Sequence, residues 1–169
     1  MTLREATRDL HHACEMHPLG QRMVRGEVMA QEWADWLAAF WALHDVVDPI
    51  LPRHMARGYL LQADLGWLRT EHGVVGPREP RAAKGFAALL DSDTDKLGAA
   101  YVLHGAHRKG GPVLRKKLSL IGLPSAHTHY DRPADADKWV NELAAQRDLT
   151  PAARDTFAAL LAVMDEVQA

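Results

Sequence analysis

The sequence offers ten histidines, and their spacing sorts them by the chemistry each can do. His11 lies four residues after Thr7 and four before Glu15, so all three share one helical face. An imidazole that ligates iron usually has its other ring nitrogen held by a carboxylate or a carbonyl, and Glu15 is placed to do that. Arg4 adds a cation two turns earlier on α-helical spacing, whereas His12 faces elsewhere. His104 and His107 are three apart and share a face, a spacing that can ligate a metal, but no carboxylate stands at a set distance from them. Glu27, Glu32, His44 and Asp48 supply a further donor set, of the mixed carboxylate and imidazole kind from which di-iron centres are built on facing helices. Against each of these stands the plain reading of a surface or hydrogen-bonded histidine.

The second feature is a run of glycines. After the apolar segment Leu97 to Leu103 the chain reads His104-Gly105-Ala106-His107-Arg108-Lys109-Gly110-Gly111-Pro112, then resumes an apolar pattern at Val113, Leu114 and Leu118. In a helix interior each glycine costs about 1 kcal/mol and the proline about 3. Two readings follow: a loop joining two helices, or one kinked helix whose bare backbone approaches something flat and bulky. Arg108, Lys109, Arg115, Lys116 and Lys117 give the same region a basic face. That face is either a solvated helix surface or a docking site for an acidic electron-transfer protein.

Helices must position these residues. Thr2 with Glu5 forms a capping-box pattern, and a helix runs from there through Leu3, Ala6, Leu10, Ala13 and Cys14. His17-Pro18 ends or bends it. A short helix covers Leu19 to Arg25 with Gly26 as its stop. A long one starts near Ala30, carries Trp33, Trp36, Leu37, Phe40, Trp41, Leu43, His44 and Val47 as a wide apolar stripe, and closes at Asp48-Pro49. Helical patterns also cover 54–70 and 81–90, separated by a loop with two glycines and two prolines. Asp91-Ser92-Asp93 caps the segment 94–118, and two helices end the chain, near 134–146 and from Thr150, with Pro151 in its first turn. No strand-like alternation appears, so the expected fold is all-α, a single-domain irregular helical bundle over residues 1–169.

Composition narrows the function classes. A net charge of -2 argues against nucleic acid or an anionic membrane held by bulk charge. A lone cysteine, Cys14, forbids an internal disulfide and suits a reducing cytoplasm. No apolar run approaches the roughly 20 residues of a membrane span, and the first residues lack the apolar core of a signal peptide.

Taken in order, these segments resemble the heme oxygenase family, in particular the bacterial members associated with phytochromes. Leu3-Arg4-Glu5-Ala6-Thr7-Arg8-Asp9-Leu10-His11 with Glu15 is similar to the family's proximal helix. The segment from Val28 to Leu51 is similar to its next long helix, and Arg57 to Leu68 to the one after. Leu97-Gly98-Ala99-Ala100-Tyr101-Val102-Leu103, with Gly105, Gly110 and Gly111, is similar to its distal helix. The resemblance implies that His11 is the axial ligand of a heme iron, supported by Glu15. It implies that Arg4, Tyr101 and, on a looser match, Lys138 hold the heme propionates. Gly105, Gly110 and Gly111 would line the distal face beside His107. The implied reaction is oxidation of heme, at once cofactor and substrate, to biliverdin, carbon monoxide and ferrous iron. It uses dioxygen and an external electron donor such as a ferredoxin or a flavin reductase.

The departures from the family pattern fall on the distal helix. The stretch Ala106-His107-Arg108-Lys109 is one residue longer than usual, Pro112 stands where a glutamine is common, and His104 where an acidic residue is frequent. A π-bulge can absorb the extra residue, or the glycines shift off the heme. A distal histidine that bound iron would leave no vacant position for oxygen. Three outcomes therefore stand: a heme oxygenase, a protein of that fold that binds heme or a bilin without turnover or has lost heme, and a non-heme di-iron oxidase on the same scaffold.

Overall fold

The computed structural model describes residues 1–169, the side chain of Arg147 excepted. Its α-helices are α1 (Leu3–Ala6), α2 (Arg8–Met16), α3 (Pro18–Arg25), α4 (Ala30–Val47), α5 (Gly58–Glu71), α6 (Arg81–Ala87), α7 (Asp93–Gly105), α8 (Gly111–Leu120), α9 (Pro133–Ala144) and α10 (Thr150–Gln168). Among the described residues there is no strand, and no helix is long and apolar enough to cross a membrane.

Local chemistry sets the boundaries. Thr2 and Glu5 cap each other at the start of α1, as the sequence predicts. The expected single helix is interrupted at Thr7, whose backbone (φ -114°, ψ 1°) leaves the helical region. Its hydroxyl donates to the Leu3 carbonyl at 2.9 Å, a back-bond of the kind that bends helices. His17 is extended (φ -60°, ψ 138°), as a residue before proline must be. Its Nδ1 accepts from the Leu19 amide at 3.1 Å and caps α3, while Nε2 reaches Asp165 Oδ1 on α10 at 3.0 Å. Gly26 ends α3 in the left-handed conformation, φ 72°. The helical pattern expected from residue 54 begins only at Gly58, after a 3-10 turn at Arg53–Met55.

The segment around the glycines is a continuous helix. α7 passes through a π turn, Ala106–Gly110, directly into α8. The π turn absorbs the extra residue and resets the hydrogen-bond register, so Pro112 falls in the first turn of a new α segment, where its missing N–H costs little. The bundle is built on α4 and α10. α10 lies along α7, α6, α2 and α4, and α4 lies along α5 and α6. Trp33, Leu37, Leu43, Leu61, Leu68, Leu103 and Leu118 are fully buried between them. Where α7 crosses α10 the backbones nearly touch, since a Cβ on Gly98 would stand 2.4 Å from that of Ala152.

Candidate functional site

α2 and α3 face α4 and the π turn across a cavity of about 430 Å³. His12, Cys14, Glu15 and Met16 of α2, with Met23 and Val24 of α3, form one wall. Trp33, Trp36 and Phe40 of α4 form the opposite one. Ala106, His107, Gly111 and Leu114 close it on the distal-helix side. Burial pushes the Cys14 thiol up to about 11, and its Sγ lies 3.9 Å from the Phe157 carbonyl.

His11 stands beside this cavity, whereas His12 lines it. The His11 side chain is 56% exposed, its Nδ1 is 3.6 Å from Glu15 Oε1, and its ring meets Phe157 edge-on at 5.8 Å. Glu15 is shared, because His12 Nδ1 lies 3.8 Å from its other oxygen. Thr7 is buried next to Tyr101 and Arg4. Burial raises the Tyr101 pKa against the opposing pull of the Arg4 charge and the Thr7 hydroxyl. Arg4 and Tyr101 thus come together one to two turns from His11. Lys138 does not join them; it is 77% exposed and lies 3.9 Å from Glu142 on α9.

The three distal glycines differ. A Cβ on Gly105 or Gly110 would meet nothing within 4 Å, whereas one on Gly111 would stand 3.0 Å from the Cβ of Thr128. Gly111 therefore permits close packing of α8 on the 126–128 turn in addition to lining the cavity. Arg108 leaves the basic face, since its guanidinium makes a two-bond pair with Asp137 on α9 at 2.7 and 2.9 Å.

Behind the π turn lies a buried histidine cluster. His107 Nε2 is 3.0 Å from His44 Nε2, and His44 Nδ1 is 2.8 Å from Asp48 Oδ1. The Asp48 carboxylate must receive the Nδ1 proton, so His44 Nε2 accepts and His107 Nε2 donates. The two rings stack at 5.2 Å. His127 Nδ1 donates to Asp64 Oδ2 at 2.6 Å, and Asp64 also accepts the Ala126 and His127 amides at 3.0 and 3.1 Å. His104 is fully buried with Nδ1 2.6 Å from the Tyr130 hydroxyl. Burial, reinforced by the neighbouring His44, drives the pKa values of His104 and His107 well below the ordinary histidine value. Burial also lowers that of His127, against the pull of Asp64. Arg57 is buried beneath the Tyr130 ring, 4.1 Å from its centroid, and its guanidinium donates to the carbonyls of His54, Met55 and His129.

The di-iron donor set does not assemble. Glu27 is exposed, while Glu32 pairs with Arg22 at 2.5 Å and caps the Met29 amide at 3.0 Å. His44 and Asp48 instead join His104. Sequence reasoning missed His127, Tyr130 and Arg57 as site residues, and it placed Asp64 only as part of a helix. Their partners lie tens of residues away, and no local pattern marks them. The i, i+4 pair His44 and Asp48 and the i, i+3 pair His104 and His107 were the legible parts of the cluster.

No protein-family model and no curated protein matches the sequence. The structure is similar to that of heme oxygenase-1 from the cyanobacterium Synechocystis, solved in complex with heme. The TM-score is 0.81 at 15% identity, over 98% of this chain and 90% of that one. It is also similar to heme oxygenase from Leptospira interrogans, with a TM-score of 0.78 at 16% identity over 97% of each chain. At such identities the likeness speaks for the backbone alone: the chain has the heme oxygenase fold.

Proposed function

We propose that this protein is a heme oxygenase, binding heme between α2 and the α7–α8 helix and opening it to biliverdin, carbon monoxide and ferrous iron. The observation that carries this reading is the π turn. It turns His107 Nε2 to His44 and sets Gly111 on the cavity wall, while a Cβ on Gly105 or Gly110, which stand outside that lining, would meet nothing within 4 Å. His107 lines the cavity, and its Nε2 is engaged by His44 rather than free for iron. The cavity fits the group in size and character. It falls within the roughly 300–1,000 Å³ of small-molecule sites, its walls are aromatic and thioether side chains, and the His12 imidazole stands at its α2 wall.

Heme, when bound, supplies the iron at which dioxygen is reduced and the porphyrin that is opened. The chain supplies orientation. His11 would hold the iron, with Glu15 as its carboxylate partner. Arg4 and Tyr101 hold the propionates, and Lys138 is a more distant cation for the same role. Trp33, Trp36 and Phe40 exclude water from the apolar side. Gly105, Gly110 and Gly111 keep side chains off the distal face. The electron donor, a ferredoxin or a flavin reductase, docks on the remaining basic face of Lys109, Lys116 and Lys117.

The test is reconstitution with hemin. A Soret band lost in His11→Ala and kept in His12→Ala is expected, and ascorbate or a reductase then yields a biliverdin spectrum. Loss in His12→Ala alone moves the axial role to the residue that lines the cavity. A stable Soret band without biliverdin establishes binding without turnover, and no Soret shift at all overturns the reading.

A further inference from the structure

Among the described residues a few buried side-chain nitrogens have no hydrogen-bond partner, and His104 Nε2, beside His44 in the buried cluster, is one of them. A buried polar atom without a partner is costly, and a bound ligand is one way to satisfy it. One donor atom each from His44, Asp48 and His104 lie within 4.8 Å of one another. We propose that these three side chains form a binding site for a divalent first-row transition ion, with zinc the simplest occupant.

The donor set suits such an ion. Two imidazoles and a carboxylate are borderline ligands that take zinc or iron(II) in preference to magnesium or calcium. The outer partners are already in place, as they must be for ligands to be held in aim. The Tyr130 hydroxyl holds His104 at Nδ1, which leaves the unpartnered Nε2 as the nitrogen free to ligate. The amides of Arg57 and Gly58 hold Asp48 Oδ2 at 2.9 and 2.8 Å, which leaves Oδ1 facing His44. Burial keeps His104 neutral, the form that ligates. Tetrahedral bonds of about 2.0–2.2 Å place donors roughly 3.3 Å apart. His44 Nδ1 and Asp48 Oδ1, at 2.8 Å, need open only slightly, and His104 closes toward them.

Protons balance without release. The ion takes the lone pair of His44 Nδ1, the proton there moves to Nε2, and the bond to His107 Nε2 reverses direction, so that both rings exchange tautomer. His107 stays in place. Arg57 is the cation packed nearby, and its charge is spread over three carbonyls and the Tyr130 ring. Asp48 carries the opposing charge toward the ion. The site needs no porphyrin.

The experiment uses the full chain stripped with a chelator, then dialysed against zinc, with bound metal measured by mass spectrometry and helicity by circular dichroism. One equivalent per chain is expected. His104→Gln and Asp48→Asn each weaken it at least about tenfold, and Tyr130→Phe, which removes an outer partner, weakens it by about 10–100-fold. His129→Ala, an exposed histidine, leaves it unchanged. If the buried variants misfold, cobalt(II) bound to the wild-type chain decides. Intense visible bands of a four- or five-coordinate ion support the site, and the weak bands of an octahedral one overturn it. No stoichiometric zinc, or equal affinity in His104→Gln and Asp48→Asn, also overturns it. Hemin binding is read separately by its Soret band, so failure there leaves this result standing.

Discussion

Two groups of histidines lie in opposite conditions, His12 reaching the cavity from α2 and His107 and His127 from the other side. On α2, His11 and His12 are more than half exposed and share one exposed glutamate at 3.6 and 3.8 Å. Behind the π turn, His44, His104, His107 and His127 are buried and tied to Asp48, Asp64, Tyr130 and each other. Exposed imidazoles with loose partners are free to take a ligand, and the fold does not depend on them. Buried ones in a network are part of the fold, and their chemistry changes only when the network does.

That contrast breaks most visibly under acid. His104, His107 and His127 have folded pKa values below the ordinary histidine value, mainly through burial. Below about pH 6.5 the unfolded chain binds protons that the folded one refuses. Stability is therefore full above that pH and falls steadily below it. Thermal melts from pH 8 to pH 5 should show Tm dropping steeply under pH 6.5, and a flat profile would dismiss the buried cluster. Next in size is Asp64→Ala, which strips three hydrogen bonds from a carboxylate 2% exposed and leaves His127 unpaired. About 3–5 kcal/mol should be lost in urea unfolding.

The glycines sharpen the comparison further. Gly111→Ala should cost about 1–3 kcal/mol, because its Cβ meets Thr128. Gly110→Ala, which meets nothing, should change stability by no more than about 0.5 kcal/mol and should instead reduce hemin affinity in a Soret titration. An equally small stability effect belongs to His11→Ala. It should stay within about 0.5 kcal/mol in urea while removing the Soret band; a large loss of stability would place His11 with the buried group.

These two regions also differ in how far the sequence disclosed them. The α2 face, the Thr2–Glu5 capping box and the His17-Pro18 break are encoded within four residues, so spacing was enough to find them. Continuity of the distal helix was only half legible. Propensity counts against three glycines and a proline, and it takes no account of a π turn that moves Pro112 into a first helical turn. The buried cluster was largely illegible. Asp64 and His127 are 63 residues apart, as are His44 and His107, and only the packing of α4, α5 and the 126–128 turn against the π turn joins them. Glu27 and Glu32 had the right chemistry for a metal, but local partners claimed Glu32 and solvent claimed Glu27.

Cys14 lends the cavity a chemical durability. With its thiol pushed up to about 11, only about one molecule in ten thousand carries the thiolate at pH 7, and the thiolate is the form that alkylates, oxidises and seeks soft metals. Sulfur sits on the wall of a site proposed to handle iron and oxygen, yet it is kept in its least reactive state. Iodoacetamide labelling that stays slow until the chain is unfolded would display that protection directly.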